Sequence, residues 1–253
     1  MKPYVLITGA SSGIGYEFAK RFILEGYPII MVSSNNEKLS HACQELKVRY
    51  GLKSDRIIEV VQDLSKSGAA EELYYKVQAL DITVGILINN AGIGYAGEFI
   101  QSKSKQQEEL MMLNMNNLVL LTRFIAIDMA KSKSGKILNV ASNGAFQPGP
   151  YIGTYYASKS FVLNFSQALR IELKKYGIVV STLCPGATVS DFAKRAGKQQ
   201  LKLSMSAKKV ANEGYRGLMR GKNIILPGLH NKAALLVPKR FRTMMIAKMY
   251  GNI

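Results

Sequence analysis

The fold is decided by the stretch Tyr4–Gly15, whose sequence is YVLITGASSGIG. Its first five residues are mostly apolar and β-branched and predict a strand, and the glycine-rich part predicts a tight turn into a helix. Gly9, Gly13 and Gly15 let the backbone approach a pyrophosphate, and the helix directs its free N–H groups at the same place. The spacing is G-x-x-x-G-x-G, not the G-x-G-x-x-G of the best-known dinucleotide turn. This stretch predicts nucleotide binding.

Short apolar segments alternate with longer amphipathic segments along the rest of the chain. We predict strands at Tyr4–Thr8, Ile29–Val32, Ile57–Val61, Gly85–Asn89, Lys136–Val140, Ile178–Leu183 and Asn223–Leu226. We predict helices at Gly13–Glu25, Glu37–Tyr50, Gly68–Leu80, Gln106–Ala130, Thr154–Tyr176 and Ser206–Arg220. The strands are apolar on both faces, which is typical of a parallel sheet covered by helices on both sides. Repeated β–α units of this kind indicate an α/β fold with a doubly wound parallel sheet of about seven strands, of the Rossmann type.

The alternation runs through the sequence without an internal repeat, a low-complexity tract or a linker. We therefore expect a single nucleotide-binding domain over residues 1–253. The polar segment 187–205 follows a strand and is interpreted as a substrate lid, with an ordinary surface loop as the alternative.

Basic residues are concentrated in the C-terminal part. The formal net charge is +17, and residues 194–253 contain 14 Lys and Arg but one acidic residue, Glu213. Such a surface attracts phosphates, acidic carrier proteins, nucleic acid or anionic lipid, and the alternative is a solvated surface without a specific partner. Because no groove-reading motif or aromatic interleaving accompanies the charge, we expect no nucleic-acid binding.

Residues 229–253 are predicted to be a basic C-terminal extension. Large apolar residues recur there at near-helical spacing, at Phe241, Met244, Met245, Ile246 and Met249. We expect this helix to pack on its own domain or on a twin subunit. The alternative is contact with a membrane surface or an acyl chain.

Cysteine and histidine are rare in this sequence. Cys43 and Cys184 are far apart, and His41 and His230 are the two histidines, so we expect no disulfide framework and no metal site. The N-terminal residues do not form a signal-peptide pattern, and no run of 18 apolar residues occurs. We therefore expect a cytoplasmic protein without a membrane-spanning segment.

The end of the second predicted strand bears on the choice between NADP(H) and NAD(H). Residues Met31–Asn36 contain no carboxylate, which would bind a ribose 2′-hydroxyl and repel a 2′-phosphate. Ser33, Ser34 and Asn35 offer hydrogen-bond donors to a phosphate there. We predict a preference for NADP(H), with NAD(H) as the alternative because no arginine is present at this tip.

Tyr155 and Lys159 are four residues apart in a predicted helix and share one face of it. An adjacent ammonium lowers the pKa of a phenol, which suits the pair to acid–base catalysis. The spacing alone is weak evidence, because Tyr16 and Lys20 have it too. The difference is Ser142, which lies thirteen residues before Tyr155 and just past a predicted strand, where open α/β sheets place ligands.

These motifs together resemble the short-chain dehydrogenase/reductase family, in its bacterial single-domain type. They occur in the family's order over nearly the whole chain, as Gly9/Gly13/Gly15, Asn89-Asn90-Ala91-Gly92, Asn114, Ser142, Tyr155/Lys159 and Pro185-Gly186. The resemblance implies an oxidoreductase that transfers a hydride between NADP(H) and a carbonyl or alcohol substrate. It also implies a homo-oligomer, for which we expect a dimer, with a tetramer as the alternative.

The resemblance implies four catalytic residues. Tyr155 passes a proton to or from the substrate oxygen, and Ser142 hydrogen-bonds that oxygen. Lys159 binds the nicotinamide ribose and lowers the pKa of Tyr155. Asn114 positions a water that connects Lys159 to solvent.

The resemblance also implies a set of cofactor contacts. In full, they are Gly9, Ser11, Ser12, Gly13, Ile14, Gly15, Ser33, Ser34, Asn35, Asp63, Leu64, Asn90, Ala91, Gly92, Tyr155, Lys159, Pro185, Gly186 and Ser190. Asp63 and Leu64 hold the adenine edge, Asn90 to Gly92 line the adenine ribose, and Pro185, Gly186 and Ser190 contact the nicotinamide amide. The alternatives are that Asp63 caps a helix and that Asn90 satisfies backbone groups.

Three features depart from the family's pattern. Ser12 stands where many NADP-using relatives carry a basic residue, and Ser190 stands where threonine is common. The glycine-rich ending after the last strand is replaced by Ile225–His230 and a further extension. This counts against a ketoacyl reductase of fatty-acid synthesis and against tetramer packing built on that ending.

The substrate is the least determined part of the prediction. Pocket residues are expected in Ile93–Phe99, Asn143–Pro150 and residues 187–205, where small apolar and bulky side chains mix. We expect an enzyme that acts on a largely nonpolar carbonyl compound or the matching alcohol. The alternative is an NADP(H)-binding regulatory protein without turnover.

Overall fold

A parallel sheet of seven strands forms the centre of the computed structural model, which describes residues 2–189 and 204–251. The strands, in chain order, are β1 Tyr4–Thr8, β2 Ile29–Ser33, β3 Ile57–Val61, β4 Val84–Asn89, β5 Gly135–Val140, β6 Ile178–Leu183, β7 Thr188–Val189, β8 Met205–Ser206 and β9 Ile224–Ile225. Their order in the sheet is β3-β2-β1-β4-β5-β6-β9, and β7 pairs separately with β8. The sheet thus grows from β1 in one direction and from β4 in the other, as a doubly wound sheet requires.

Helices cover both faces of this sheet. They are α1 Gly13–Leu24, α2 Asn36–Tyr50, α3 Ala69–Gln78, α4 Ser104–Met111, α5 Asn117–Lys131, α6 Gly153–Glu172, α7 Ala207–Met219, α8 Leu229–Ala234 and α9 Lys239–Tyr250. On one face, α1, α2 and α7 contribute Phe18, Leu39 and Leu218 to a buried cluster. On the other face, α3 and α5 contribute Leu73 and Ile125 to a second cluster. The predicted α/β fold with helices on both faces is confirmed.

The side chains of β1 show why this layering follows from the sequence. Val5 and Ile7 belong to the cluster of α1, whereas Leu6 belongs to the cluster of α3 and α5. All three side chains are fully buried. Because successive side chains of a strand point to opposite faces, a strand that is apolar at every position must be covered on both sides.

The predicted helix at Gln106–Ala130 is two helices, α4 and α5, joined by a π-helical turn at Met112–Asn116. The buried residue of this turn is Asn114. The amphipathic pattern continues through the turn, so periodicity gives no sign of it. Short π-helical insertions are frequent at functional sites, which makes this difference relevant to the predicted role of Asn114.

Other boundaries differ from the prediction by a few residues. β9 is shorter than the predicted Asn223–Leu226, because it pairs with β6 over two residues. The predicted helix that starts at Thr154 leaves α-helical geometry after Glu172, and a 3-10 turn ends it at Gly177 in a left-handed conformation, with φ of 71°. The apolar spacing in the C-terminal extension corresponds to α9, whereas α8 was not predicted.

The continuous helical stretch Ser104–Lys131 contains an 18-residue window with a mean hydropathy of 1.5, which gives it the length and composition that a membrane-spanning helix needs. Leu121, Ile125 and Met129 of this stretch are buried in the cluster against α3 and the sheet. Packing of α5 inside the fold therefore accounts for its apolar character. It is the one such stretch among the described residues.

The predicted lid, 187–205, lies largely outside the described residues. At its two ends Thr188 pairs with Met205 and Val189 with Ser206, as the short strands β7 and β8. The two ends of the segment are thus held side by side. The lid itself, like the single-domain organisation over residues 1–253, stays a prediction.

Candidate active site

Tyr155 and Lys159 lie in the first two turns of α6, and both are buried, with 7% and 4% of their surface exposed. The Nζ atom of Lys159 lies 5.8 Å from the centre of the Tyr155 ring. It donates a hydrogen bond of 2.9 Å to the carbonyl oxygen of Val140, the last residue of β5. The lysine is therefore held between the helix and the end of the sheet.

Ser142 is brought to the same place by β5. It begins the short 3-10 helix Asn143–Phe146, and its hydroxyl accepts a hydrogen bond of 3.1 Å from the Gly144 N–H. A side-chain hydrogen bond also links it to Tyr155. Ser142, Tyr155 and Lys159 thus meet at the carboxyl end of the central strands, as the sequence predicted.

The electrostatics of this group differ from the expectation for Tyr155. Burial raises the pKa of Tyr155 to about 12, although the hydrogen bond to Ser142 acts in the opposite direction. Burial also lowers the pKa of Lys159 to about 8. The predicted lowering of the tyrosine pKa by Lys159 is therefore not found in this structure, because desolvation of the phenolate outweighs the other effects.

Asn114 holds the loop after β4 from both sides. Its side-chain oxygen accepts from the Ile93 N–H at 3.0 Å, and its Nδ2 donates to the Ile93 carbonyl at 2.9 Å. A side chain on Gly92 would lie 3.2 Å from both the Asn114 oxygen and Lys159 Nζ. Both polar atoms therefore border Gly92, and the water in the predicted role of Asn114 stays a prediction.

The glycine-rich turn has the geometry that a pyrophosphate site requires. Gly9 and Gly13 adopt left-handed conformations with φ of 65° and 58°. A side chain on Gly15 would lie 2.2 Å from the Gly9 carbonyl oxygen, so only glycine fits there. Ser12 begins α1 without a side-chain capping bond, and the first turn carries no acidic residue. The turn therefore fits the phosphates of a dinucleotide.

Some of the predicted cofactor contacts at the end of β2 form hydrogen bonds within the protein. The hydroxyl groups of Ser33 and Ser11 lie 2.9 Å apart and link β2 to the glycine turn. Asn35 caps α2 by accepting from the Lys38 N–H at 2.8 Å. Ser34 is exposed and stays available to a ligand.

Two further predicted contacts have structural roles. An oxygen of Asp63 accepts from the backbone and the hydroxyl of Ser65 at 3.0 and 2.7 Å, so it closes a turn. The Asn90 amide donates to the carbonyl oxygens of Thr8 and Gly9 at 2.9 and 3.1 Å. This is the alternative in which Asn90 satisfies backbone groups, and it ties the end of β4 to the glycine turn.

The remaining predicted contact residues follow β6, as Pro185, Gly186 and Ser190. Gly186 lies against Asn231 of α8, since a side chain on Gly186 would be 2.1 Å from the Asn231 oxygen. Asn231 is buried and donates to the Pro227 carbonyl at 2.7 Å. The sequence prediction did not include it, because a lone asparagine in a basic extension carries no recognisable pattern. Ser190 lies outside the described residues.

An apolar cluster surrounds Tyr155. It contains the buried residues Leu110, Ile152, Tyr155 and Tyr156, with Ile93, Tyr95, Ala96, Ile246 and Tyr250 packed against them. The last two belong to α9, and Tyr250 contributes to the raised pKa of Tyr155. Arg242 of α9 also hydrogen-bonds Gln147. The C-terminal helix therefore forms part of the site, which the sequence did not indicate.

Residues 3–201 match the family model described as short chain dehydrogenase. The chain belongs to the short-chain dehydrogenase family. The predicted resemblance is thereby confirmed.

Two curated relatives share the name very-long-chain 3-oxoacyl-CoA reductase. The protein from Anas platyrhynchos is 29% identical over 197 residues, and the one from Phaeosphaeria nodorum is 34% identical over 180 residues. These matches cover 76% and 70% of this chain but 61% and 52% of the relatives. The chain thus spans about half to two thirds of the length of these relatives.

Two solved structures resemble the whole chain. A short-chain dehydrogenase from Sphingobium yanoikuyae in complex with NADPH has a TM-score of 0.85 and 31% identity, and the match covers 99% of this chain and 97% of that one. A bulky-bulky ketone specific alcohol dehydrogenase from Comamonas testosteroni has a TM-score of 0.81 and 30% identity, with 98% and 92% covered. The predicted class, a dehydrogenase or reductase acting on carbonyl or alcohol groups, is confirmed.

A cavity of about 300 Å³ lies away from Tyr155, between α7, β9 and α8. Its basic lining residues are Arg216, Arg220, Lys222 and Lys232. We call this cavity the basic groove, and it is separate from the predicted catalytic residues.

Proposed function

We propose that this protein reduces a nonpolar carbonyl compound and that Tyr155 donates the proton to the carbonyl oxygen. The observation that supports this most directly is the position of the buried Tyr155 phenol, which lies beside Ser142 and Lys159 at the carboxyl end of β5. A phenol keeps its proton at neutral pH and can give it to the carbonyl oxygen that becomes the alcohol. The same group would accept that proton in the reverse reaction.

Ser142 is proposed to donate its hydroxyl proton in a hydrogen bond to the same substrate oxygen. Its other lone pair is held by the Gly144 N–H, which orients the hydroxyl. Lys159 is proposed to hold the nicotinamide ribose and, with Asn114 and a bridging water, to return a proton to Tyr155 after each turnover. Its nitrogen is fixed for this by the hydrogen bond to Val140.

We propose NADP(H) as the cofactor, which supplies the hydride when it is bound. The glycine turn is suited to its pyrophosphate, because a Cβ at Gly15 would meet the Gly9 carbonyl. Ser34 is exposed beside the end of β2, where no carboxylate opposes a 2′-phosphate. The Sphingobium yanoikuyae structure, which contains NADPH, agrees with this choice.

We propose a bulky, largely nonpolar ketone as the substrate. The cluster beside Tyr155 is formed by aliphatic and aromatic side chains, including Ile152 and Tyr156. The names of the relatives also support this choice, since they are a very-long-chain 3-oxoacyl-CoA reductase and a bulky-bulky ketone specific alcohol dehydrogenase. A dimer and a cytoplasmic location remain predictions.

The test is oxidation of NADPH and NADH with a panel of ketones of increasing size. We expect turnover with NADPH, at least about tenfold better than with NADH, and higher kcat/KM for the bulkier ketones. Ser34→Asp should reduce the preference for NADPH, because the carboxylate repels a 2′-phosphate. Tight NADPH binding without turnover of any ketone or alcohol would instead favour the regulatory alternative.

A further inference from the structure

The helix α9 carries apolar side chains on two opposite faces. Ile246 and Tyr250, four residues apart, pack on the cluster around Tyr155. Phe241, Met244 and Met245 lie on the other side and are 58%, 59% and 67% exposed, and Met249 lies on the flank and is 41% exposed. A helix that packs on its own domain needs one apolar face, so the fold does not account for the second.

Exposed apolar residues continue into the segment before α9. Leu229, Leu236 and Val237 are 81%, 86% and 39% exposed. We define the C-terminal face as the exposed apolar residues Leu229, Leu236, Val237, Phe241, Met244, Met245 and Met249. These are seven of the 20 large hydrophobic residues exposed in the described part of the chain, although they lie within a short C-terminal segment. A concentration of this kind marks an interaction surface.

The charges that accompany the C-terminal face are of one sign. Residues 229–251 contain no acidic residue and five basic ones, namely Lys232, Lys239, Arg240, Arg242 and Lys248. Arg242 is engaged with Gln147, and the other four are exposed. Lys232 also lines the basic groove, so the positive surface extends beyond α9.

This combination of residues matches an anionic membrane surface. Apolar side chains on one helix face enter the boundary of the acyl chains, while Lys and Arg reach the phosphate groups above them. Each basic residue near an anionic bilayer strengthens binding about fivefold. Four exposed cations beside seven exposed apolar residues therefore supply both contributions.

A second copy of this chain is a poorer occupant of the same face. In a two-fold symmetric dimer the patch meets itself, so Arg240 and Lys248 would approach the same basic surface on the other copy. Like charges brought together in an interface are unfavourable, and residues 229–251 contain no carboxylate to offset them. The expected packing of this helix on a twin subunit is therefore disfavoured.

We propose that the C-terminal face docks this protein on the surface of an anionic membrane. The opposite face of α9 contacts the cluster around Tyr155, so α9 lies between the bilayer and the candidate site. A helix is about 10 Å across, so docking brings the bilayer within a short distance of that cluster. The docking itself does not rest on the proposed reaction.

The test is co-sedimentation of the full chain with lipid vesicles in the absence of cofactor and substrate. We expect binding to phosphatidylcholine vesicles that contain phosphatidylserine, much weaker binding to phosphatidylcholine alone, and loss of binding as salt increases. Arg240→Gln with Lys248→Gln should weaken binding about 30-fold. Met244→Ser with Met245→Ser should weaken it at least about tenfold.

Matched control variants lie at the end of α6. Ile171 is 79% exposed, and Lys174 and Lys175 are exposed as well. Ile171→Ser removes an exposed apolar side chain outside the C-terminal face, and Lys174→Gln with Lys175→Gln removes two positive charges there. Both should leave vesicle binding within about twofold of the original protein.

Three results would overturn the proposal. One is no binding to the phosphatidylserine vesicles at low salt, and another is equal loss of binding in the control variants. The third is a dimer that Met244→Ser with Met245→Ser converts to a monomer while vesicle binding is absent, which would make the face a subunit interface. Because vesicle binding and NADPH oxidation are measured separately, failure of the docking is distinguishable from failure of the proposed reaction.

Discussion

Two tyrosine–lysine pairs in this protein have the same spacing and similar geometry but very different surroundings. In α1, Lys20 Nζ lies 5.5 Å from the Tyr16 ring centre, and in α6, Lys159 Nζ lies 5.8 Å from the Tyr155 ring centre. Lys20 is paired with Glu17 at 3.0 Å. Lys159 is buried and donates to the Val140 carbonyl instead.

The difference shows that Tyr155 and Lys159 acquire their chemistry from β5, the strand that brings Ser142 to them. Burial raises the pKa of both tyrosines, so a raised pKa does not distinguish them. What distinguishes Tyr155 is Ser142, which β5 places within hydrogen-bond distance. A local sequence pattern creates two equivalent pairs, and the tertiary structure gives one of them a hydroxyl partner and a site for a ligand.

The largest expected effect is on turnover in Tyr155→Phe. This variant keeps the ring but loses the proton donor, so ketone reduction should fall about 10³-fold while NADPH still binds. The matched variant Tyr16→Phe should stay within about twofold. Steady-state kinetics and a fluorescence titration with NADPH measure the two quantities. Reduction by Tyr155→Phe at the original rate would remove the basis of the comparison.

The next effect is on both activity and stability in Lys159→Met. Activity should fall about 10²-fold, because the proposed ribose contact is lost. The free energy of unfolding at pH 7 should rise by about 2 kcal/mol. Removal of the buried cation stabilises the folded protein, and the loss of the hydrogen bond to the Val140 carbonyl offsets part of this gain. Lys20→Met should leave activity unchanged and alter stability less than Lys159→Met does, since Lys20 and its partner Glu17 are only partly buried, each 18% exposed.

The pH dependence of this stability difference has a definite sign. The pKa of Lys159 is about 8 in the folded protein, whereas the ordinary value for a lysine is 10.5. Between these values the unfolded chain binds the extra proton, so the original protein becomes more stable as pH rises. The advantage of Lys159→Met should therefore be full below pH 8 and disappear by about pH 10.5. Chemical denaturation across this range measures it, and a constant difference would contradict the buried charge.

The last comparison concerns one glycine in the first turn of each of the two helices. Gly15 precedes Tyr16, and a Cβ there would lie 2.2 Å from the Gly9 carbonyl oxygen. Gly153 opens α6 and has no atom within 4 Å of its Cβ position. Gly15→Ala should lower the free energy of unfolding by about 2 kcal/mol and weaken NADPH binding, whereas Gly153→Ala should be neutral or slightly stabilising. Equal effects of the two changes would show that the turn is not tightly packed.

The layered fold was predictable because strands and helices each produce a local pattern of apolar residues in the sequence. All seven predicted strands are present, and three of them, including Tyr4–Thr8, have the predicted bounds. The π-helical turn around Asn114 was not predictable, since the apolar pattern runs through it unchanged. The contact of α9 with the site was not predictable either. Ile246 and Tyr250 are far from Tyr155 along the chain and reach its cluster only in the folded protein.

The sequence by itself determined the alternation of buried strands with helices, the glycine turn before α1 and the residue types that can carry a hydride-transfer site. These properties depend on neighbours along the chain, where spacing fixes which side chains share a face. Only the tertiary structure decided the electrostatic state of the site. Desolvation raises the pKa of Tyr155 and lowers that of Lys159, and it depends on the atoms that surround each group from distant parts of the chain.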